Sequence, residues 1–294
     1  PLLQSTPHLG ASTVEAQENV SLDVCNQVIE ILRGGMPTAA VNAPLILPEE
    51  YRKLQPFVRL VERMGDLYTQ HFVGGSSSSS GSGGGGGMIG ARSKFELVYH
   101  GELASVSNTR PLLAALVKGL MSSVSESGGR DVNIVNAQLI AKEKGIAINE
   151  THAREEAENA GYASLVTLRS LDGEHEHVIE GYVSGQSIYI SKLGRFRANF
   201  VPEGTMVLLH NYDEPGKIGN VGIVLGSHGV NITFMQVASL DRGVGGVRGA
   251  TQDAGHKGEN EALMILGVDG DVTEEVLEAL RRSEGILDVK LVKM

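Results

Sequence analysis

Near the front of the chain stands Thr6-Pro7-His8-Leu9-Gly10-Ala11-Ser12-Thr13. An imidazole in a loop can take and return a proton at neutral pH, because histidine titrates at about 6.5. Pro7 fixes the backbone ahead of His8, and Gly10 lets a ligand come close to the main chain. A second constellation lies far downstream, where Asn211-Tyr212-Asp213-Glu214-Pro215-Gly216 leads into a helix. The unpaired amides of that helix start suit a carboxylate. Asp213 can take an ammonium group, and Asn211 and Asn231 add amide donors and acceptors, so together these groups describe a zwitterion site. Each also has a plainer role: His8 bonding its own loop, Asp213 capping the helix, Asn231 sitting in a turn.

Four further features carry less. His175 and His177 share one face of a strand and could hold a metal, but no third ligand is visible and an exposed hairpin is expected. Arg195 and Arg197 also share a face. Gly81-Ser82-Gly83-Gly84-Gly85-Gly86 formally matches a dinucleotide-binding loop, yet no strand precedes it and no amphipathic helix follows. The glycine cluster from Gly243 to Gly249 fails the same test.

The elements that must position these residues follow from periodicity. Ser12 and Glu15 form a capping box, and Val20, Val24, Val28, Ile31 and Leu32 fall on one face of a helix stopped by Gly34-Gly35. Cys25, the single cysteine, lies on its apolar side and is expected to be a buried, reduced thiol. Ala39 to Pro44 reads as extended, and Pro48 to Phe72 as a second helix. The serine and glycine tract from Gly74 to Gly87 has no side chain that buries apolar area and reads as a linker.

Beyond the linker, Lys94 to Tyr99 reads as a strand and Thr109 to Val124 as a helix with a leucine stripe. Val132 to Ala137 reads as a strand entering a helix through Asn136, with Gly145 closing that helix. Strands follow at Ala163 to Leu168, His177 to Val183 and Ile188 to Ile190. The last segment alternates strand Met206 to His210, a helix carrying Ile218, Val221, Ile223, Val224 and Leu225, strand Val230 to Val237, strand Ala262 to Val268, helix Thr273 to Arg282 and strand Ile286 to Val292. That order is βαββαβ, a split ferredoxin-like plait.

The 294 residues leave room for two or three domains, and 41% hydrophobic residues supply real cores. A net charge of −10 speaks against a nucleic-acid binder, which needs a basic stripe to meet phosphates. No run is apolar and long enough to cross a bilayer, and the start does not look like a signal peptide. The expected setting is therefore the cytoplasm, with no membrane and no nucleic-acid partner.

The T-P-H-L-G-A-S-T segment resembles the D-2-hydroxyacid dehydrogenases, above all their phosphoglycerate dehydrogenase branch. That resemblance implies that His8 is the catalytic acid/base and that His8, Leu9, Gly10 and Ala11 line the nicotinamide of NAD. V-N-I-V-N-A from Val132, with the strand from Gly181 to Gly185, resembles the intervening, allosteric substrate-binding domain of the longer members, where cations near Arg195 and Arg197 can meet an anion. N-Y-D-E-P-G-K-I-G, with G-V-N-I from Gly229, resembles the ACT domain, a regulatory module that binds amino acids; the loop from Arg242 to Asn260 is longer than usual there.

The implied fold is α/β: residues 1–72 end a Rossmann-type dehydrogenase, 73–91 link, 92–203 form the intervening domain and 204–294 the ACT domain. The implied parent oxidises 3-phosphoglycerate with NAD in L-serine biosynthesis. L-serine would be the effector, held by Asn211, Asp213 and Asn231 in a homo-oligomer, a tetramer with paired ACT domains. The dinucleotide fingerprint, the substrate-phosphate arginine and the glutamate that orients the histidine are absent from these residues. The chain starts at Pro1 and is expected to be inactive by itself, as the later part of a longer enzyme. The other class of function is a non-catalytic amino-acid sensor.

Overall fold

The computed structural model describes residues 10, 12–33, 39–42, 48–73, 93–125, 127–153, 162–170, 177–240 and 260–294. The chain divides into two compact units, Pro1–Pro48 and Glu49–Met294.

The first unit holds α1 (Val14–Leu32). Its cap is Thr13, not the expected Ser12: Thr13 has extended backbone, and its Oγ1 accepts from the Ala16 amide at 3.2 Å. None of the helix's residues is buried. Val20, Val24 and Val28 are exposed and so is Cys25, which corrects the expectation of a buried thiol. The glycines expected to stop the helix lie outside the described residues.

The second unit takes all but the first residue of α2 (Pro48–Tyr68), which runs into a wider π-type turn, Thr69–Val73. Its stripe of Leu60, Val61, Met64 and Leu67 is wholly buried. β1 (Lys94–Gly101), a 3-10 turn at Glu102–Ser105 and α3 (Arg110–Ser122) follow. Ten of the thirteen α3 residues are buried, in the core that this helix shares with α2 and the sheet. α2 and α3 touch backbone to backbone: a Cβ on Gly65 would stand 2.8 Å from the Leu116 carbonyl oxygen.

Val132 to Ala137 is not a strand. Two asparagines fold it into turns: Asn133 Oδ1 accepts from the amides of Val135 and Asn136, and Asn136 Oδ1 accepts from Asn133 N at 2.7 Å. Asparagine side chains that bond local backbone compete with ladder formation. α4 (Ala137–Glu143) starts there and Gly145, at φ +70°, ends it. The strand is instead β2 (Ala147–Ala153), which pairs parallel to β1.

β3 (Ser164–Ser170), β4 (His177–Ser184), β5 (Ser187–Leu193) and β6 (Phe196–Phe200) complete a six-stranded mixed sheet, in the order β2-β1-β3-β4-β5-β6. Phe95, Leu97, Tyr99, Val166, Leu168 and Ile179 bury its inner face in one core with α2 and α3.

A four-stranded antiparallel sheet of order β10-β7-β9-β8 follows, from β7 (Thr205–Tyr212), β8 (Asn231–Ser239), β9 (Glu261–Asp269) and β10 (Ile286–Lys293). α5 (Lys217–Ser227) lies between β7 and β8 in sequence, and α6 (Glu274–Arg281) between β9 and β10. Val207, Leu209, Met264 and Leu266 pack against Val221, Leu225, Val276 and Leu280 of the helices. The alternate residues Met206, Leu208, Leu263 and Ile265 join the core of the six-stranded sheet. Burial on both faces explains why β7 and β9 read as continuous apolar runs. Gln70 fastens the π-turn to the open edge of β10, donating to the Lys293 carbonyl and accepting from its amide, each at 2.8 Å.

Candidate functional site

The turn between β7 and α5 gathers the most chemistry. Asn211, two residues before it, is only 2% exposed. Its Nδ2 donates to the Tyr212 carbonyl at 2.8 Å, while its Oδ1 has no hydrogen-bond partner among the described residues. A buried acceptor left unmade costs about 1–3 kcal/mol, and this one stands unmet beside the turn.

Asp213 follows in the turn. Its amide donates to the Asn260 carbonyl at 2.7 Å, and Asn260 Nδ2 donates back to the Asp213 carbonyl at 3.2 Å. The carboxylate is exposed and has no ion pair or hydrogen bond among the described residues. It does not cap α5: the capping position is Gly216, at φ +89°, with no side-chain bond to the helix amides. The plainer role for Asp213 is thereby removed. The first amides of α5 remain open to a carboxylate.

Lys217 braces this turn, a contribution the sequence reading missed. Only 8% exposed, it donates from Nζ to the Glu284 carbonyl at 2.8 Å and pairs with Glu214 at 3.1 Å. A lysine at the first helical position looks like solvated surface in one dimension. The contact is legible only once Gly285 is seen packed against it, where a Cβ would stand 2.4 Å from Nζ.

Asn231 does not join Asn211 and Asp213. It opens β8 opposite Asp269 on β9, whereas Asn211 lies opposite Ala262 at the other end of β9. At roughly 3.3 Å per residue, the two are on the order of 20 Å apart along the sheet. One copy of the chain thus holds Asn231 at the opposite end of the second sheet from Asn211 and Asp213.

Of the front segment, His8, Leu9 and Ala11 lie outside the described residues, and Gly10 has φ +49°. His175 also lies outside them. His177 starts β4 with its ring stacked on Phe72 at 4.3 Å. Arg195 is ion-paired with Glu261, which also meets His210 Nε2 at 2.7 Å, so its guanidinium is engaged by a carboxylate.

His71, in the π-turn, has a buried Nδ1 with no partner among the described residues. Burial, chiefly, and then the charges of Lys290, His177 and His210 push its pKa down from 6.5 to about 3. It is neutral at physiological pH. Burial and the adjacent Glu150 carboxylate raise the Tyr99 phenol far above its usual range, and Tyr99 donates to Glu150 Oε1 at 2.6 Å. Both groups serve the fold.

The architecture is that of an α/β protein with one mixed sheet and one antiparallel sheet, the second bearing an unfilled polar turn. Residues 90–189 match the family of the D-3-phosphoglycerate dehydrogenase intervening domain. The chain is similar along nearly its whole length to D-3-phosphoglycerate dehydrogenases. It is 34% identical over 290 residues to that of Synechocystis sp., covering 98% of this chain and 46% of the relative. It is 31% identical over 289 residues to that of Methanocaldococcus jannaschii, covering 98% and 48%. Against the Bacillus subtilis protein the identity is 27% over 298 residues, covering 100% and 49%. The chain therefore spans about half the length of the curated relatives it matches.

Proposed function

We propose that this chain is part of an NAD-dependent D-3-phosphoglycerate dehydrogenase, which oxidises 3-phospho-D-glycerate to 3-phosphohydroxypyruvate on the route to L-serine. Matches that run through both the His8 segment and the 90–189 module, over 98% of the chain, favour this over a free-standing amino-acid sensor. NAD, when bound, accepts the hydride. His8 would take the proton of the 2-hydroxyl, and Leu9, Gly10 and Ala11 would hold the nicotinamide. No G-x-G-x-x-G run of the kind that cradles a pyrophosphate occurs among the described residues.

Residues 204–294 act as an ACT domain in this reading and 92–203 as the intervening domain, with 73–91 linking them to a dehydrogenase tail at 1–72. The packing of α2 on α3 ties the end of that tail physically to the intervening module. Feedback by L-serine is carried by one observation above others: the buried, unpartnered Oδ1 of Asn211 beside the free carboxylate of Asp213. These two take the ammonium, and the first amides of α5 take the carboxylate.

The distance to Asn231 makes the site a shared one, closed by Asn231 of a second copy. β8 is an edge strand of its sheet; β6 meets it at Leu240 and through Asn199 and Gln236, while Phe234 and Val237 are exposed on it and Ile218 and Ile223 on α5. Pairing two such edges is self-complementary and would bring the two kinds of half-site together. A tetramer with paired ACT domains fits this arrangement. No helix among the described residues is long and apolar enough to cross a membrane, and we place the enzyme in the cytoplasm. The reading is tested by following NADH formation from 3-phosphoglycerate in the full-length enzyme with and without L-serine. It fails if no turnover occurs or if serine leaves the rate unchanged.

A further inference from the structure

A cleft of about 350 Å³ opens between α2, the start of β5 and the segment 201–203 that leads from the first sheet to the second. Arg59, Arg63, Ser187, Ile188, Pro202 and Glu203 line it. The two arginines are one helical turn apart and so share a face of α2. That helix cannot retreat, because its backbone abuts α3 at Gly65. Arg59 spends one NH2 donor on the Gln186 carbonyl at 2.8 Å and has no carboxylate partner among the described residues. Arg63 pairs through one NH1 with Asp66 Oδ2 at 3.7 Å, while Asp66 Oδ1 accepts from Ser122 and Gln70, and its remaining guanidinium donors are left for a ligand. Glu62, also on the lining, is neutralised by Lys118 at 2.9 Å. Glu203 has no ion pair among the described residues.

We propose that this cleft binds a small organic dianion that also carries a hydroxyl or ammonium group. Two guanidiniums on one face present paired N–H donors to acid groups. Glu203 accepts from the ligand's donor, and Ile188 and Pro202 cover its short carbon stem. Because the bound anion touches both α2 and the connector into β7, occupation pins the two sheets' junction. The site is independent of the turn at Asp213.

Calorimetry on the chain with L-malate, L-aspartate, succinate and inorganic phosphate tests it. L-Malate or L-aspartate should bind more tightly than succinate, which lacks the donor, and whichever is tighter tells hydroxyl from ammonium. Arg63→Gln, which leaves the Arg59 contact to the hairpin in place, should weaken binding roughly tenfold or more. Glu203→Gln should abolish the preference over succinate. Unaltered circular dichroism and melting temperature confirm that each variant is folded. The proposal is overturned if no probe gives heat at about 10 mM, if Arg63→Gln binds as the wild type does, or if succinate and phosphate match L-malate and L-aspartate.

Discussion

A Cβ on Gly119 would stand 2.0 Å from the carbonyl oxygen of Glu62, so α3 and α2 meet with no side chain between them. Both partners at that distance are backbone, which cannot swing aside. Gly119→Ala should therefore push the helices apart and loosen the core of Leu60, Met64, Leu116 and Leu120. The expected loss is about 2–4 kcal/mol, read as a lower urea midpoint. Gly222→Ala on α5, where nothing lies within 4 Å, should be neutral or slightly stabilising and serves as the control.

The π-turn makes the fold acid-sensitive. An unfolded His71 titrates at its ordinary 6.5 and the folded one at about 3, so between those values the unfolded chain holds the extra proton. Stability is full above about pH 6.5 and declines as the pH falls towards 3. Between pH 6.5 and 5 this residue accounts for about 2 kcal/mol. Melting curves of His71→Leu should show a shallower decline in that window than the wild type. Parallel curves would show that another group sets the acid limit.

Association should depend on the exposed edge. Ile223 is 70% exposed on α5, and Phe234 stands out from β8. Ile223→Asp with Phe234→Lys should shift the sedimentation of the chain towards the monomer without lowering its melting temperature. An unchanged sedimentation coefficient would place the contact between copies elsewhere.

Much of the second sheet was legible because its strands are long apolar runs and its helices have clear stripes: β7, β9, β10, α5 and α6 fall within a few residues of their expected bounds. The misreadings have local causes. Val132 to Ala137 has a strand-like composition, yet Asn133 and Asn136 bond their own backbone first. β2 is hidden in the sequence because Asn149, Glu150 and His152 break its apolar pattern, and it is an edge strand. Cys25 follows helical periodicity but lies on a helix whose apolar stripe is exposed. Type and spacing are enough to single out Asn211 and Asp213. That Asn231 stands at the far end of the sheet depends on register, which spacing along a chain does not convey.

For catalysis, His8→Ala in the full-length enzyme should lower kcat roughly a hundredfold or more while leaving NADH binding nearly intact. Stopped-flow turnover with a parallel NADH titration separates the two. A rate close to that of the wild type would remove His8 from the proton-transfer role.

The central claim is that the β7–α5 turn senses an amino acid, and calorimetry with L-serine, D-serine and glycine on this chain tests it most directly. L-Serine should bind to the wild type in the micromolar-to-millimolar range and promote association of two copies. Asp213→Ala should abolish the heat, since an ammonium left without its anion costs on the order of 2–5 kcal/mol. The variant should keep its fold, because Asp213 caps no helix. Absence of heat with the wild type, or equal heat with Asp213→Ala, would contradict the account.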